Sequence, residues 1–258
     1  MNPVETFFWA VFPWLAVGVC LVGTLWRWRY DQFGWTTRSS QIYESKWLRI
    51  SSPLFHYGIL GVAAGHLVGL GVPKQWTESV GVSEGVYHAF AAYIGSIFGL
   101  MAVVGLAGLF FRRYFIKTIH LATSTSDKVM YVLLGGALLL GFFATVRTQI
   151  FAAGHGYDYR ESISPWFRSL FALHPRPELM ADVPMAFKLH VIAGFILIAA
   201  WPFTRLVHAI SAPVGYTTRP YIVYRSRTAT LDPGHRPGWT PVHTRPMLAK
   251  GEAEPRGA

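Results

Sequence analysis

The sequence predicts an all-α membrane protein, a five-transmembrane-helix bundle with its N-terminus outside and its C-terminus cytoplasmic. Three observations predict it. Of the 258 residues, 52% are apolar and only 14% are charged, against roughly 45–50% and 25% in soluble domains. The apolar residues are gathered into uncharged blocks about 20 residues long, the helical length that crosses a hydrocarbon core of about 30 Å. The cations are confined to the connections between blocks. The formal charge of +10 therefore reads as a topology signal, with a secondary role toward anionic lipid or a partner, and not as a nucleic-acid surface.

The first block, 4–26, lacks the basic leader and small-residue cleavage site of a signal peptide and is expected to stay as a helix. The second, 48–72, opens on Ser51-Ser52-Pro53, acceptable as a first helical turn. The third covers 87–111, the fourth 129–151 and the fifth 183–212. Between the last two, 152–182 carries Gly154, Gly156, Pro165, Pro175 and Pro177, so it reads as a loop with a short interfacial helix near Trp166. Orientation follows from the cations. Arg27, Arg29, Arg38, Lys46 and Arg49, then Arg112, Arg113, Lys117 and Lys128, then those from Arg205 onward all fall on one side, while the other side has few and these are offset by acids. Residues 1–227 form the helical domain. The Pro-, Gly- and charge-rich stretch 228–258 is read as a disordered cytoplasmic tail. The single Cys20 excludes an internal disulfide, a zinc ribbon and covalent c-type haem attachment, and no internal repeat supports an inverted-repeat transporter.

Ionisable groups at membrane depth are costly and mark function, which singles out His56 and His66 in the second block and His190 and His208 in the fifth. Each alone is equally well a helix-packing histidine. Together they form a pattern. His56 and His66 lie about 15 Å apart along one helix, too far for one metal. The fifth helix runs the opposite way, so the depths pair His56 with His208 and His66 with His190. Neutral imidazole binds iron well, and two axial imidazoles leave no open position, which suits electron transfer. Zinc fits less well, because neither carboxylate nor thiolate lies nearby. One feature opposes the pairing: an unbroken helix from His190 to His208 rises about 27 Å against about 15 Å for the other pair, so a tilt, crossing or kink is required, with Pro202 one possible cause.

Secondary candidates are less specific. Gly58, Gly61 and Gly65 would admit a flat macrocycle to the backbone or serve ordinary helix packing, and Gly65 stands beside His66. Arg112, Arg113 and Arg205 lie where carboxylates of an inner haem would face, and equally fit the positive-inside pattern. His88 at the start of the third helix is the candidate catalytic base for a quinol, or an interfacial surface histidine.

These residues resemble a known family, the gamma subunits of membrane-bound respiratory nitrate reductases, which are dihaem cytochromes b. The likeness covers about residues 3–227. It is carried by WRWRYDQFGWTTRSSQ, by SSPLFHYGILGVAAGHLVGL and by FKLHVIAGFILIAAWPFTRLVHAISAPVGYTTRPY. It implies two b-type haems, an inner one on His56 and His208 and an outer one on His66 and His190. It also implies quinol as substrate, cytoplasmic iron–sulfur (beta) and molybdenum (alpha) subunits as partners, and a multi-pass place in the bacterial cytoplasmic membrane. The chain departs from the family in its extended tail and in having His88 where a lysine is found near the start of the third helix. On this reading quinol is oxidised near the outer face and electrons pass inward, against the membrane potential at about 2.3 kcal/mol per 100 mV, so the inner haem should have the higher potential. The alternatives are a similar dihaem subunit serving another redox complex, such as a heterodisulfide-reductase-like or sulfite-reducing one, and a cofactor-free anchor or transporter.

Overall fold

A computed structural model describes residues 2–31, 43–151 and 157–211. All regular structure among them is helical, and five segments are long and apolar enough to cross a membrane. The expected tail 228–258 and the cations beyond helix five lie outside the described residues.

Helix α1 spans Pro3–Tyr30. Asn2 caps it, accepting from Glu5 N–H at 2.8 Å while Glu5 returns to the Asn2 N–H. It loosens into a π turn at Phe7–Val11, just before Pro13. Proline has no N–H to give, so the Trp9 carbonyl loses its partner four residues on. The Trp166 indole N–H takes it at 2.8 Å. Helix α2, Lys46–Gly71, begins earlier than the sequence suggests, so Pro53 lies inside it and Ser51-Ser52-Pro53 is not its first turn. Helix α3, Glu84–Phe115, starts on the Ser83 cap. Helix α4, Thr125–Thr145, starts on a capping box of Ser124 and Asp127 and runs on as a π turn, Val146–Ile150.

The expected loop helix is real: α5 spans Ile163–Phe171. It is more buried than an interfacial helix would be. Trp166, 1% exposed, meets Trp9 edge-on at 5.9 Å and Phe195 at 6.3 Å, and Ser164 and Arg168 donate to the carbonyls of Gly69 and Leu70 at the end of α2. This ties α1, α2 and the loop into one cap at the N-terminal end of the bundle.

The fifth segment corrects the expectation of one helix over 183–212. Helix α6, Met185–Ala200, is α-helical. It then gives way to 3-10 turns at Trp201–Phe203 and Arg205–Ala209, separated by Thr204 in extended backbone. Pro202 cannot donate to the Ile198 carbonyl, and outside groups hold the break open. Arg27 Nη1 donates to the Pro202 carbonyl at 2.5 Å, and Ser126 Oγ donates to that of Phe203 at 2.9 Å.

Lipid gives apolar helices no reason to pack for burial alone, so close approach and dispersion must hold them. Helices α2 and α3 show how. A Cβ on Gly58 would land on the Ala102 backbone and one on Gly105 on the Phe55 backbone. Packing then continues from α3 to α4, α4 to α6 and α6 to α1, while α2 and α6 are not among the closely packed pairs. Large side chains such as Leu21, Leu67 and Val132 point outward, fully 60–76% exposed, as a surface facing hydrocarbon requires.

Candidate functional site: two facing histidine pairs

Across the gap between α2 and the fifth segment, α6 with the turns that follow it, the four histidines meet in two pairs. The ring centroids of His56 and His208 are 6.1 Å apart at 68°, and those of His66 and His190 are 5.8 Å apart at 48°. Two metal–imidazole bonds of about 2 Å in line set the nitrogens about 4 Å apart and the centroids about 6 Å apart, roughly 1 Å further out on each side.

The tautomers are set in the same way at all four. His56 Nδ1–H donates to the Ser52 carbonyl at 2.7 Å and His66 Nδ1–H to that of Val62 at 2.8 Å. His190 Nδ1–H reaches the Ala137 carbonyl on α4 at 3.0 Å, and His208 Nδ1–H that of Arg205 at 2.6 Å. A carbonyl can only accept, so Nδ1 carries the proton and Nε2 keeps its lone pair. This is how a metal-bound histidine is held, with the outer nitrogen donating to a fixed acceptor. Among the described residues no group of three or more His, Cys, Asp and Glu comes together. A haem needs no such group, since its macrocycle supplies four nitrogens and the protein two. The donor set and the gap suit two haems stacked along the bundle, and Gly65 adds an open face beside His66, with nothing within 4 Å of where a Cβ would stand. Gly58 and Gly61 instead serve the α2–α3 contact, against Ala102 and Phe98.

The expected cations are engaged with acids. Arg112, 3% exposed, gives Nε to Glu44 Oε2 at 2.6 Å and Nη2 to the Glu44 carbonyl at 2.6 Å. Arg113 and Arg205 both bind Asp127, at 3.3 and 3.4 Å. For Glu44, burial alone would raise the carboxyl, but the Trp47 N–H and Arg112 outweigh it and hold it below its ordinary range. His88 lies in the second turn of α3, half-buried. The α2–α3 register set by Gly58 with Ala102 and Gly105 with Phe55 brings it level with Gly71 and Val72. It therefore stands about 8 Å beyond His66 along the axis, toward the cap.

Sequence reasoning missed several residues here. Gly141 on α4 leaves space for the His190 ring, since a Cβ there would stand 2.6 Å from its Cε1. Asp127 and Glu44 were not singled out, because acids at helix starts read as caps. At the cap, Lys74 meets Asp158 at 3.2 Å and Glu161 at 2.7 Å, and Arg160 meets Glu84 at 3.1 Å with its guanidinium 3.8 Å over the Tyr87 ring. Lys74 is held charged above its ordinary range, first by the Glu161 hydrogen bond, against the opposing effect of burial. The Tyr159 hydroxyl, packed against Gly69, is pushed up by burial and then by Tyr87.

Comparison with known proteins gives a consistent result. A family model described as nitrate reductase gamma subunit matches residues 5–227. The "Nitrate reductase-like protein NarX" of Mycobacterium tuberculosis is 50% identical over 233 residues, 90% of this chain, so that the chain spans only 36% of that relative's length. The "Nitrate reductase gamma chain" of Bacillus subtilis is 40% identical, covering 85% of this chain and 97% of its own. The "Respiratory nitrate reductase 1 gamma chain" of Escherichia coli is 32% identical, covering 88% and 100%.

Proposed function

Since the chain belongs to the nitrate reductase gamma-subunit family, we propose that it is the subunit that oxidises quinol in the bacterial cytoplasmic membrane and delivers the electrons to cytoplasmic iron–sulfur and molybdenum subunits. The observation that carries this reading is the two facing histidine pairs, each ring with Nδ1 tied to a main-chain carbonyl and Nε2 left for a metal. b-type haems bound at the pairs supply one-electron transfer along the bundle.

The chain's own residues do the rest. The cap end, with the N-terminus, faces outside, and the end with Arg112, Arg113 and Arg205 faces the cytoplasm. His66 and His190 then form the outer site, and His56 and His208 the inner one. Quinol binds between the open face of Gly65 and His88. A quinol ring bridges the depth between His66 and His88, and the His88 imidazole accepts one hydroxyl proton. Arg205, a quarter exposed, serves the cofactor's carboxylates better than the buried Arg112. The basic segment through Arg227 docks the soluble subunits.

A second reading, the same dihaem module serving a different redox complex, draws on the length of the nitrate reductase-like relatives, of which this chain spans about a third. Two measurements test both. A pyridine haemochrome assay on the purified chain is expected to return two haems, and one or none would overturn the dihaem reading. Co-purification with a molybdenum enzyme that reduces nitrate supports the first reading over the second, and co-purification with another reductase reverses them.

A further inference from the structure

His208 is the one histidine of the four that stands on no α-helix. It sits near the end of the short 3-10 turn Arg205–Ala209, beyond the break at Pro202. A ligand on so short a turn keeps its direction only if neighbouring elements fix the turn. Besides the Arg27 bond to the Pro202 carbonyl, the fixing contacts among the described residues come from the first turn of α4. Asp127 accepts from Arg205 Nη1 at 3.4 Å through Oδ1, and from Arg113 Nη1 at 3.3 Å through Oδ2. The Arg205 carbonyl in turn accepts His208 Nδ1–H at 2.6 Å. One residue along, Ser126 Oγ donates to the Phe203 carbonyl at 2.9 Å.

Capping α4 does not require this arrangement. The capping box uses Asp127 Oδ2, which takes the Ser124 N–H at 3.2 Å. Oδ1, the oxygen facing Arg205, has no part in it. The side chain of Asp127 is only 15% exposed and that of Arg113 6%, so solvent screens the cluster weakly. The other three histidines have no comparable dependence: His56 and His66 are tied to carbonyls four residues back in α2, and His190 to α4.

We propose that Asp127 is the positioning residue for His208. Acting through Arg205, it sets the height and angle of the imidazole opposite His56, and so tunes the inner site without touching the outer one. This rests on the dihaem reading above. Removing the carboxylate charge loosens the Arg205 turn and leaves the His66–His190 pair as it was.

The test uses the assembled complex in membranes and low-temperature EPR of the ferric low-spin haems, which senses the angle between the two axial imidazole planes. The free rings of the two pairs differ in that angle, 68° against 48°, so the two haems are expected to give distinct signals. Asp127→Asn is expected to shift the signal and the midpoint potential of the His56–His208 haem alone and to weaken its retention by roughly tenfold, the lower end for loss of a second-shell partner. Asp127→Glu should restore most of the signal. Ser124→Ala, which removes the cap and spares Oδ1, should leave both signals in place. Arg205→Lys keeps the charge but gives up the fork geometry, and should shift the same signal as Asp127→Asn. Two unshifted signals in Asp127→Asn or in Arg205→Lys would overturn the assignment, as would an equal shift in Ser124→Ala. An unmutated chain without haem would overturn the dihaem reading and the assignment with it, whereas a dihaem chain silent to these substitutions overturns the assignment only.

Discussion

Gly141→Ala separates a ligand from a packing histidine at His190. The added Cβ would stand 2.6 Å from His190 Cε1, 2.9 Å from Nδ1 and 3.1 Å from Nε2. Carbon atoms rest at about 3.5–4.0 Å, so the ring must retreat by about 1 Å. It is held on the same helix by the Ala137 carbonyl at 3.0 Å. A histidine that only packs can yield: it loses about 1 kcal/mol of hydrogen bond, pays about 0.5–1.5 kcal/mol for an off-rotamer angle, and the bundle regains up to about 1 kcal/mol because alanine favours the helix over glycine. The net effect on stability is then small. A histidine bound to iron cannot yield without lengthening or tilting its bond. Disturbing its supporting contact should weaken haem binding about 10–100-fold, which is about 1.4–2.8 kcal/mol. The assay is haem per chain after detergent purification, with difference spectra identifying which haem is lost, and Gly136→Ala as control because nothing lies within 4 Å of that site. The loss should fall on the His66–His190 haem alone. A Gly141→Ala chain that keeps both haems through the same purification as the unmutated protein would refute the ligand role of His190.

Three further outcomes are expected. His66→Ala and His190→Ala should remove one and the same haem, His56→Ala and His208→Ala the other, and a mutant that crosses the pairs in its difference spectrum would break the assignment made from the ring distances. His88→Phe should slow haem reduction by quinol while dithionite reduction and both spectra stay unchanged; unaltered quinol kinetics would move the proton acceptor toward the cap residues around Tyr159 and Gly69. The Glu44–Arg112 pair should stabilise fully above the ordinary glutamate range and fail as pH falls through the lowered value of Glu44, which lies below 4.5. Glu44→Gln, which removes the charge facing Arg112 Nε, should therefore lower the thermal midpoint in detergent near neutral pH and flatten the loss on acidification seen in the unmutated chain.

The five spans were legible because lipid imposes a single demand, about 20 apolar residues per crossing, and the blocks meet it openly. Their ends were less legible. Lys46 and Arg49 opened α2 as helical residues, and a cation at a span end reads as loop when only hydropathy is weighed. The loop helix around Trp166 was visible, but its burial was not, since that depends on the Trp9 carbonyl left over by Pro13. The roles of Arg112, Arg113 and Arg205 also lay beyond the sequence. Positive charge in a membrane loop is explained before any partner is known, and the acids that take these cations, Glu44 and Asp127, lie 68, 14 and 78 residues away in the chain.

The histidine pairing was legible apart from one arithmetic conflict, and the structure resolves it at the helix break. From His190 to Ala200 α6 runs the same number of residues as α2 from His56 to His66, about 15 Å each at 1.5 Å per residue. The remaining residues to His208 do not extend the axis. Pro202 ends the α-helix, Thr204 turns the chain at φ −120° and ψ 174°, and the Arg205–Ala209 turn runs on from there to set His208 6.1 Å from His56. An unbroken helix would have carried His208 about 12 Å past its partner. The proline named as one cause of a kink is thus what allows two histidines eighteen residues apart on one segment to face two that are ten apart on another. Breaking the segment moves the burden of aiming His208 from the helix to the groups that hold the break, Arg27 on α1 and Ser126 and Asp127 on α4.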